Sequence, residues 1–396
     1  MALHLSSLPY RSSRDAFDGQ WKRSNAGGTE RAVTVAGPVA TESSDGNWAE
    51  RVLIGTDAVC ELSVVSSYCQ RRLGFHNTYA APNWDFGMDL EDYSVLVTGG
   101  AGFIGSNLAN YLSDANDVTV VDDCYLGTPE NLAEDVDFVD ASVLDDDLPT
   151  DVDVVFHLAA LSSYAMHEND PTTGARVNVE GFVNVVEQAR RDGCETIVYA
   201  STSSIYGSRT EPSPEEMDVS VNTGYEASKL ARERYGEYFS NHYDMTAAGM
   251  RFFSVYQGYG GAEEHKGEYA NVIAQFADDI ANGESPVLYG DGTQTRDFTH
   301  VSDIVRGLEG AALYELDGIY NLGTGDAYDF NTVVAMINDE LGTDVEPEYV
   351  DNPIPESVYV HDTCADVSKI RAETGWEPRI DFEEGIQRVC AQYTGE

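Results

Sequence analysis

Tyr225 and Lys229 stand four residues apart in Tyr225-Glu226-Ala227-Ser228-Lys229, at the head of a stretch, EASKLARERYGEYF, that reads as helix. That spacing puts a phenol and an ammonium on one helix face, a turn apart. A free phenol titrates at about 10, too high for a base at neutral pH. A neighbouring ammonium, joined by the positive ring of an oxidised nicotinamide, would stabilise the phenolate and bring that value down. Thr202 closes the preceding strand-like run, where its hydroxyl can hold a substrate oxygen and relay a proton. Tyrosine with lysine four later also arises by chance in helices. Here it takes one of only four lysines in the chain, Lys22, Lys229, Lys266 and Lys369. The chemistry this suits is removal of a proton from an alcohol beside a redox cofactor.

A place for such a cofactor lies upstream, in VLVTGGAGFIG, from Val95 to Gly105. The β-branched run reads as a buried strand. It breaks into Gly99-x-x-Gly102-x-x-Gly105 and then into a helical pattern from Ser106 to Leu112. Strand, glycine turn and helix in that order let backbone N–H groups and a helix N-terminus face a pyrophosphate. A second strand, Val118 to Val121, ends at Asp122, about 20 residues after the first glycine. An acid there suits the ribose hydroxyls of NAD and repels the extra phosphate of NADP, so NAD is the expected cofactor.

Strands are predicted at 94–98, 117–121, 136–139, 153–157, 196–200 and 246–250, and helices at 103–114, 173–191 and 225–241. This alternation implies an α/β fold: a Rossmann-type doubly wound parallel sheet, with a smaller C-terminal substrate-binding domain after it. Ligands of such sheets bind beyond the carboxyl ends of the strands. Those positions read Gly99, Asp122, Ser142-Val143, His157-Leu158-Ala159-Ala160 and Ser201-Thr202-Ser203. The small residues after Leu158 would let a cofactor lie against the backbone, and His157 reads as a structural histidine. The expected division is a cofactor domain over 88–251 and a mainly substrate-binding domain over 252–396. Strand 318–322 (GIYNL) is expected to return to the main sheet, and 329–341 and 366–375 read as helices.

The formal charge is −46, yet 42% of residues are hydrophobic, which argues for a folded core rather than disorder. An acidic, lysine-poor shell suits multimolar salt, where screening removes most self-repulsion, and points to a halophilic, haloarchaeal source. It disfavours nucleic acid and anionic membranes as partners. Six cysteines show no metal-ligand spacing, so no metal is expected and reduced thiols in a cytoplasmic protein fit best. No apolar run reaches membrane-spanning length, and the first residues lack a signal-peptide pattern. Residues 1–87 carry 8 Lys/Arg against 9 Asp/Glu, while 88–396 carry 15 against 60. A poorly ordered extension, or a start annotated ahead of a true start at Met88, is expected for 1–87.

TGGAGFIG (98–105), HLAA (157–160), STSSIYG (201–207), YEASK (225–229), RFFSVY (251–256) and YGDGTQTRDF (289–298) resemble the extended short-chain dehydrogenase/reductase superfamily. Within it they are most similar to NAD-dependent nucleotide-sugar epimerases of the UDP-glucose 4-epimerase type. The resemblance spans about residues 93–392 and implies epimerisation of a UDP-hexose or UDP-N-acetylhexosamine at C4 through a transient 4-keto sugar. It implies Tyr225 as base, Lys229 as the group that lowers its pKa and holds the nicotinamide ribose, and Thr202 at the sugar hydroxyl. The cofactor would be held by Gly99, Gly102, Phe103, Ile104, Gly105, Asp122, Asp123, Ser142, Val143, Leu158, Ala159, Ala160 and Phe253, with Tyr225 and Lys229. The substrate would meet Ser163, Ser254, Asn271, Val272, Tyr289, Arg296 and Thr363. Tyr289 would pack on the base, and Arg296 would clamp the diphosphate as a planar fork. Thr363, being small, would admit acetamido sugars.

Relatives that eliminate water carry Asp-Glu after the catalytic threonine, where this chain has Ser203-Ser204. Decarboxylating relatives keep a glutamate at the position of Ser204. Neither acid is present, which favours plain epimerisation. Ser254 stands where relatives have asparagine, Ser142 where they have aspartate, and VDNPIPES lacks an arginine they use as a second diphosphate ligand. Other readings are a reductase or an epimerase acting elsewhere on the sugar, or a non-catalytic NAD-binding sensor. The resemblance also implies a homodimer, with helices near 173–191 and 225–241 pairing into a four-helix bundle.

Overall fold

The computed structural model describes residues 90–394. The segment 1–87 lies outside the described residues. Six strands form at the predicted places, each bound within two residues: β1 (Ser94–Thr98), β2 (Asp117–Asp122), β3 (Asp137–Asp140), β4 (Val154–His157), β5 (Thr196–Thr202) and β6 (Thr246–Phe252). Shorter strands follow as β7 (Val255–Tyr256), β8 (Val287–Tyr289), β9 (Thr295–Arg296) and β10 (Thr299–His300). Strand β11 (Gly318–Leu322) then pairs with β6, and β12 (Tyr328–Asp329) and β13 (Glu348–Val350) complete the set. The main sheet has seven strands in the order β3-β2-β1-β4-β5-β6-β11, and every pairing is parallel. The order reverses between β1 and β4, which opens a crevice at their carboxyl ends.

Among the described residues ten α-helices accompany the strands: α1 (Phe103–Leu112), α2 (Tyr164–Glu168), α3 (Pro171–Ala175), α4 (Gly181–Asp192), α5 (Gly224–His242), α6 (Val272–Ala281), α7 (Val301–Leu313), α8 (Phe330–Leu341), α9 (Ser368–Thr374) and α10 (Phe382–Thr394). Side chains alternate across the sheet with the strand period of two. Val95, Val97, Val120 and Phe156 therefore pack beneath α1 and α7, while Leu96, Val121, Val155 and Ile197 face α4 and α5. A third core is separate from both. It joins Ile273 and Phe276 of α6, Val333 and Ile337 of α8, and Ile386 and Val389 of α10.

The predicted helix 173–191 forms without a break over 171–192, but its hydrogen-bond ladder is not uniformly α. It divides into α3, a π-helical turn (Arg176–Glu180) and α4. The wide turn sets the buried Asn178 amide against Leu161 in the crevice wall, donating to its carbonyl (3.0 Å) and accepting from its N–H (2.8 Å). Hydrophobic periodicity carries no signal for such a turn, because one extra residue leaves the pattern on either side intact.

Helix α5 starts in a capping box. Thr223 accepts from the Glu226 N–H, and the Glu226 carboxylate accepts from the N–H groups of Asn222 and Thr223. Further along, Glu233 meets Arg251 of β6 in a bidentate pair at 2.7 and 2.8 Å, with both side chains buried. Ser201 also donates to Glu233, and Arg251 to the Tyr206 hydroxyl. Arg251→Leu strands the Glu233 carboxylate in the core and should cost about 3–5 kcal/mol of stability. The solvent-exposed Arg191→Leu, which removes a surface partner of Glu187, should change little. Urea denaturation of both variants at constant salt checks the contrast.

Candidate active site

The glycine turn sits at the reversal of strand order. Gly99 has φ +70°, and a Cβ there would stand 2.5 Å from the Ala159 nitrogen. Only glycine lets β1 and the strip after β4 approach so closely. Helix α1 opens at Gly102 with no side-chain cap and no acidic residue in its first turn, so its N-terminal N–H groups keep their positive character. At the end of β2, Asp122 accepts from the Ala101 and Cys124 N–H groups at 3.1 and 2.9 Å. Each oxygen retains a lone pair for a ribose hydroxyl. Burial pushes this carboxyl above its ordinary value.

A cavity of about 750 Å³ runs from this turn to the ends of β4, β5 and β6. Gly99, Gly102, Phe103, Ile104, Gly105, Asp122, Asp123, Val143, Leu158, Ala159 and Ala160 all line it. The residues therefore fit a dinucleotide on three counts: a bare helix terminus, a turn that a Cβ would block, and an acid beyond β2.

Thr202, Tyr225 and Lys229 line the same cavity further along. The Lys229 Nζ lies 5.9 Å from the centre of the Tyr225 ring and donates to the Ala200 carbonyl at 3.1 Å. Thr202 also caps the following 3₁₀ turn by accepting from the Ser204 N–H. Burial raises the Tyr225 phenol above its usual value, opposed by hydrogen bonding to Thr202 and by the Arg232 charge. Burial also drives the Lys229 ammonium well down. The expectation of a lowered phenol counted on the lysine together with an oxidised nicotinamide ring. In a dry wall without a bound pyridinium, loss of hydration outweighs the neighbouring charge.

The substrate half is divided. Ser254, Asn271, Arg296 and Thr363 line the cavity. Arg296 donates to the carbonyls of Thr295, Val360 and His361, and its guanidinium lies 5.7 Å from the Tyr359 ring centre. No carboxylate is among those contacts, so it is not a surface ion pair. Its neighbour Asp297 fixes the strand by accepting from the N–H groups of Thr324, Gly325 and Ala365. Asn271 caps α6, its amide accepting from Ile273 and donating to Val255.

Five expected ligands do not face the cavity. Phe253 is turned into the core, stacked at 6.1 Å on Tyr206, while Phe252 lines the wall instead. Ser163 caps α2, and its neighbour Ser162 takes the wall position. Ser142 is bound into its own turn with Leu144 and Asp145. Val272 packs against the third core. Tyr289 ends β8 against β13 and is 37% exposed outside the cavity.

Other wall residues carry no motif: Met166, His265, Lys266 and Tyr269. Only Lys266 left a signal, as one of four lysines in the chain. It lies 5.2 Å from the Phe103 ring centre. The most acidic of shells thus encloses a cavity lined by Lys229, Lys266 and Arg296, which suits a polyanionic ligand. His157 is structural, bonded to Thr98 at 3.0 Å within the core. Among the described residues no group of His, Cys, Asp and Glu is placed to hold a metal, and no helix is long and apolar enough to cross a membrane.

Comparison with known proteins agrees with this geometry. The profile of the NAD dependent epimerase/dehydratase family matches residues 95–323. A putative UDP-glucose 4-epimerase of Methanocaldococcus jannaschii is 35% identical over 303 residues, covering 74% of this chain and 96% of that one. Among solved structures, a UDP-N-acetylglucosamine 4-epimerase from Methanobrevibacter ruminantium in complex with UDP-N-acetylmuramic acid superposes with a TM-score of 0.71 at 29% identity, covering 77% of this chain and 99% of its own. The Thermus thermophilus UDP-glucose 4-epimerase complex with NAD gives 0.68 at 30% identity, over 76% and 99%.

Gly99→Ala places a methyl group against the Ala159 backbone at a left-handed φ. It should lower NAD affinity by at least about tenfold and stability by about 1–3 kcal/mol. Bound NAD per chain and the unfolding midpoint measure the two effects.

Proposed function

The chain belongs to the NAD dependent epimerase/dehydratase family, and within it we propose that it epimerises a UDP-hexose or UDP-N-acetylhexosamine at C4. The observation that carries this reading is the continuity of one cavity from the glycine turn to Tyr225, Thr202 and Lys229, with Ser203 and Ser204 in its wall. A dehydration needs an acid to protonate the departing hydroxyl, and these two serines stand where that acid would be. NAD, held by the glycine turn, Asp122 and Lys229, would supply reversible two-electron oxidation at the sugar carbon, so that C4 could pass through a ketone. Tyr225 takes the proton from the C4 hydroxyl and returns it. Thr202 holds the same oxygen through its hydroxyl, and Lys229 fixes the nicotinamide ribose. Arg296 grips the diphosphate with the part of its guanidinium not spent on carbonyls. Thr363, small and buried beside the Asp297 backbone, leaves room for an acetamido group.

The same reading places the protein in a salt-rich cytoplasm as a homodimer. The net charge supports the first point, with 15 Lys/Arg against 60 Asp/Glu over 88–396. A surface groove along α4 supports the second: Val179, Val183 and Tyr235 of α5 line it with Arg176, Glu180, Glu187 and Arg191 at its polar edge, and Tyr235 is more than 40% exposed. The sheet over 88–251, with β11 added, would bind NAD, and the rest of 252–396 would mainly bind substrate.

Incubation in multimolar salt with a panel of UDP-sugars, followed by NMR, should show C4 epimers with no net consumption of NAD. Tyr225→Phe should slow this by about 10²–10⁴-fold while NAD stays bound. Retention of full turnover would remove Tyr225 from the mechanism, and net cofactor consumption would mark a reductase. Val183→Glu should convert the dimer to a monomer in sedimentation velocity.

A further inference from the structure

Arg232 is fully buried, and no carboxylate pairs with it among the ion pairs of the described residues. Its Nε donates to the Asn178 carbonyl at 2.5 Å and one Nη to the Ala159 carbonyl at 2.7 Å. The other Nη is buried without a partner. Phe182 lies beneath, its ring centre 6.0 Å from the guanidinium carbon. An uncompensated charge in such a place is expensive, and a neutral side chain of similar volume would ordinarily be preferred.

Its neighbours suggest what the charge is for. Arg232 follows Tyr225 by seven residues and Lys229 by three, so all three lie on one face of α5. Ala159, which it holds, belongs to the cavity wall. Asn178, which it also holds, reaches from the π turn to Ser228 at 2.9 Å, and Ser228 donates to the Tyr225 carbonyl at 2.7 Å. The guanidinium is thus tied to the backbone at two points, Asn178 in the π turn and Ala159 in the cavity wall.

We propose that Arg232 is a positioning residue for proton transfer at Tyr225, a fixed cation one layer behind the cavity wall whose unpaired charge is relieved when the phenol ionises. The proposal rests on the role assigned to Tyr225 above. The groups that face the phenol are Glu226 and Lys229 on its own helix, Arg232 two turns on, Thr202 on β5 and His167 on α2, whose ring centre is 5.8 Å away. Glu226 is engaged in the capping box. His167 is neutral at working pH because burial lowers it, and its Nε2 contacts the Leu161 carbonyl. Burial lowers the Lys229 ammonium, and it also pushes the Arg232 guanidinium down to about 9, which leaves the guanidinium charged at neutral pH. Before ionisation the Arg232 guanidinium has no anion beside it; afterwards the phenolate supplies one. The second state is electrically balanced, which favours loss of the phenolic proton.

The test reads the phenol itself. In NAD-loaded protein labelled with ¹³Cζ-tyrosine, the Tyr225 resonance is identified by its absence in Tyr225→Phe and titrated with pH. In Arg232→Gln, which keeps a donor for the carbonyls but no charge, the midpoint should rise by about one pH unit or more, equivalent to about a tenfold loss of phenolate at neutral pH. Arg232→Lys should recover at least half of that shift. The melting temperature of Arg232→Gln should not fall below that of the native chain, because a lone buried charge has been removed. An unmoved midpoint, equal shifts with Gln and Lys, or a Gln variant that fails to fold would each overturn the proposal in favour of a purely structural arginine. Because the readout is ionisation rather than turnover, a chain inactive on every UDP-sugar would sink the 4-epimerase reading and still leave this question answered.

Discussion

The inward face of α5 is charged, and the cavity depends on that inversion. Glu226, Lys229, Arg232 and Glu233 are all buried there beside Ser228 and Gly236. Helices usually dock on sheets through an apolar stripe. This one docks through specific polar contacts: Glu226 to the N–H groups of its own cap, Lys229 to the Ala200 carbonyl, Arg232 to Asn178 and Ala159, and Glu233 to Arg251 and Ser201. Hydrophobic contact is non-directional and tolerates sliding, whereas hydrogen bonds at these lengths do not. The tyrosine is therefore held to a fixed place opposite the strand ends.

That inversion also explains what the sequence could reveal. The parallel strands were legible because β-branched runs buried on both faces have few other uses. The glycine turn was legible because backbone conformation and close approach restrict its residues to glycine. Tyr225 and Lys229 were legible from spacing alone. Arg232 was not, since an arginine inside EASKLARERYGEYF looks like any solvated helix residue, and only the packing of α4 shows it to be buried. The π turn at 176–180 and the placements of Phe253 and Ser163 were hidden for a related reason. A shift of one residue turns a side chain from wall to core, and motif matching does not resolve one residue where a strand ends.

The charge distribution separates two demands. Most of the surface is anionic, and cations are scarce. Two of the four lysines in the chain, Lys229 and Lys266, nevertheless stand in one cavity with Arg296. Salt screens interactions across exposed surface but penetrates little into a half-enclosed cleft. A strongly acidic shell and a cleft lined by cations are thereby compatible in one molecule.

The π turn at Arg176–Glu180 amounts to a single surplus residue wound into an otherwise regular coil. Excising one residue there would let the hydrogen-bond ladder close up as an ordinary spiral, but everything downstream would rotate by about 100°. Val185, Val186 and Ala189 would then swing away from the sheet they now cover, and Asn178 would lose its grip on Leu161. The irregularity behaves as a phase adjuster: it lets one continuous rod satisfy two incompatible angular settings, one for the crevice and one for the core.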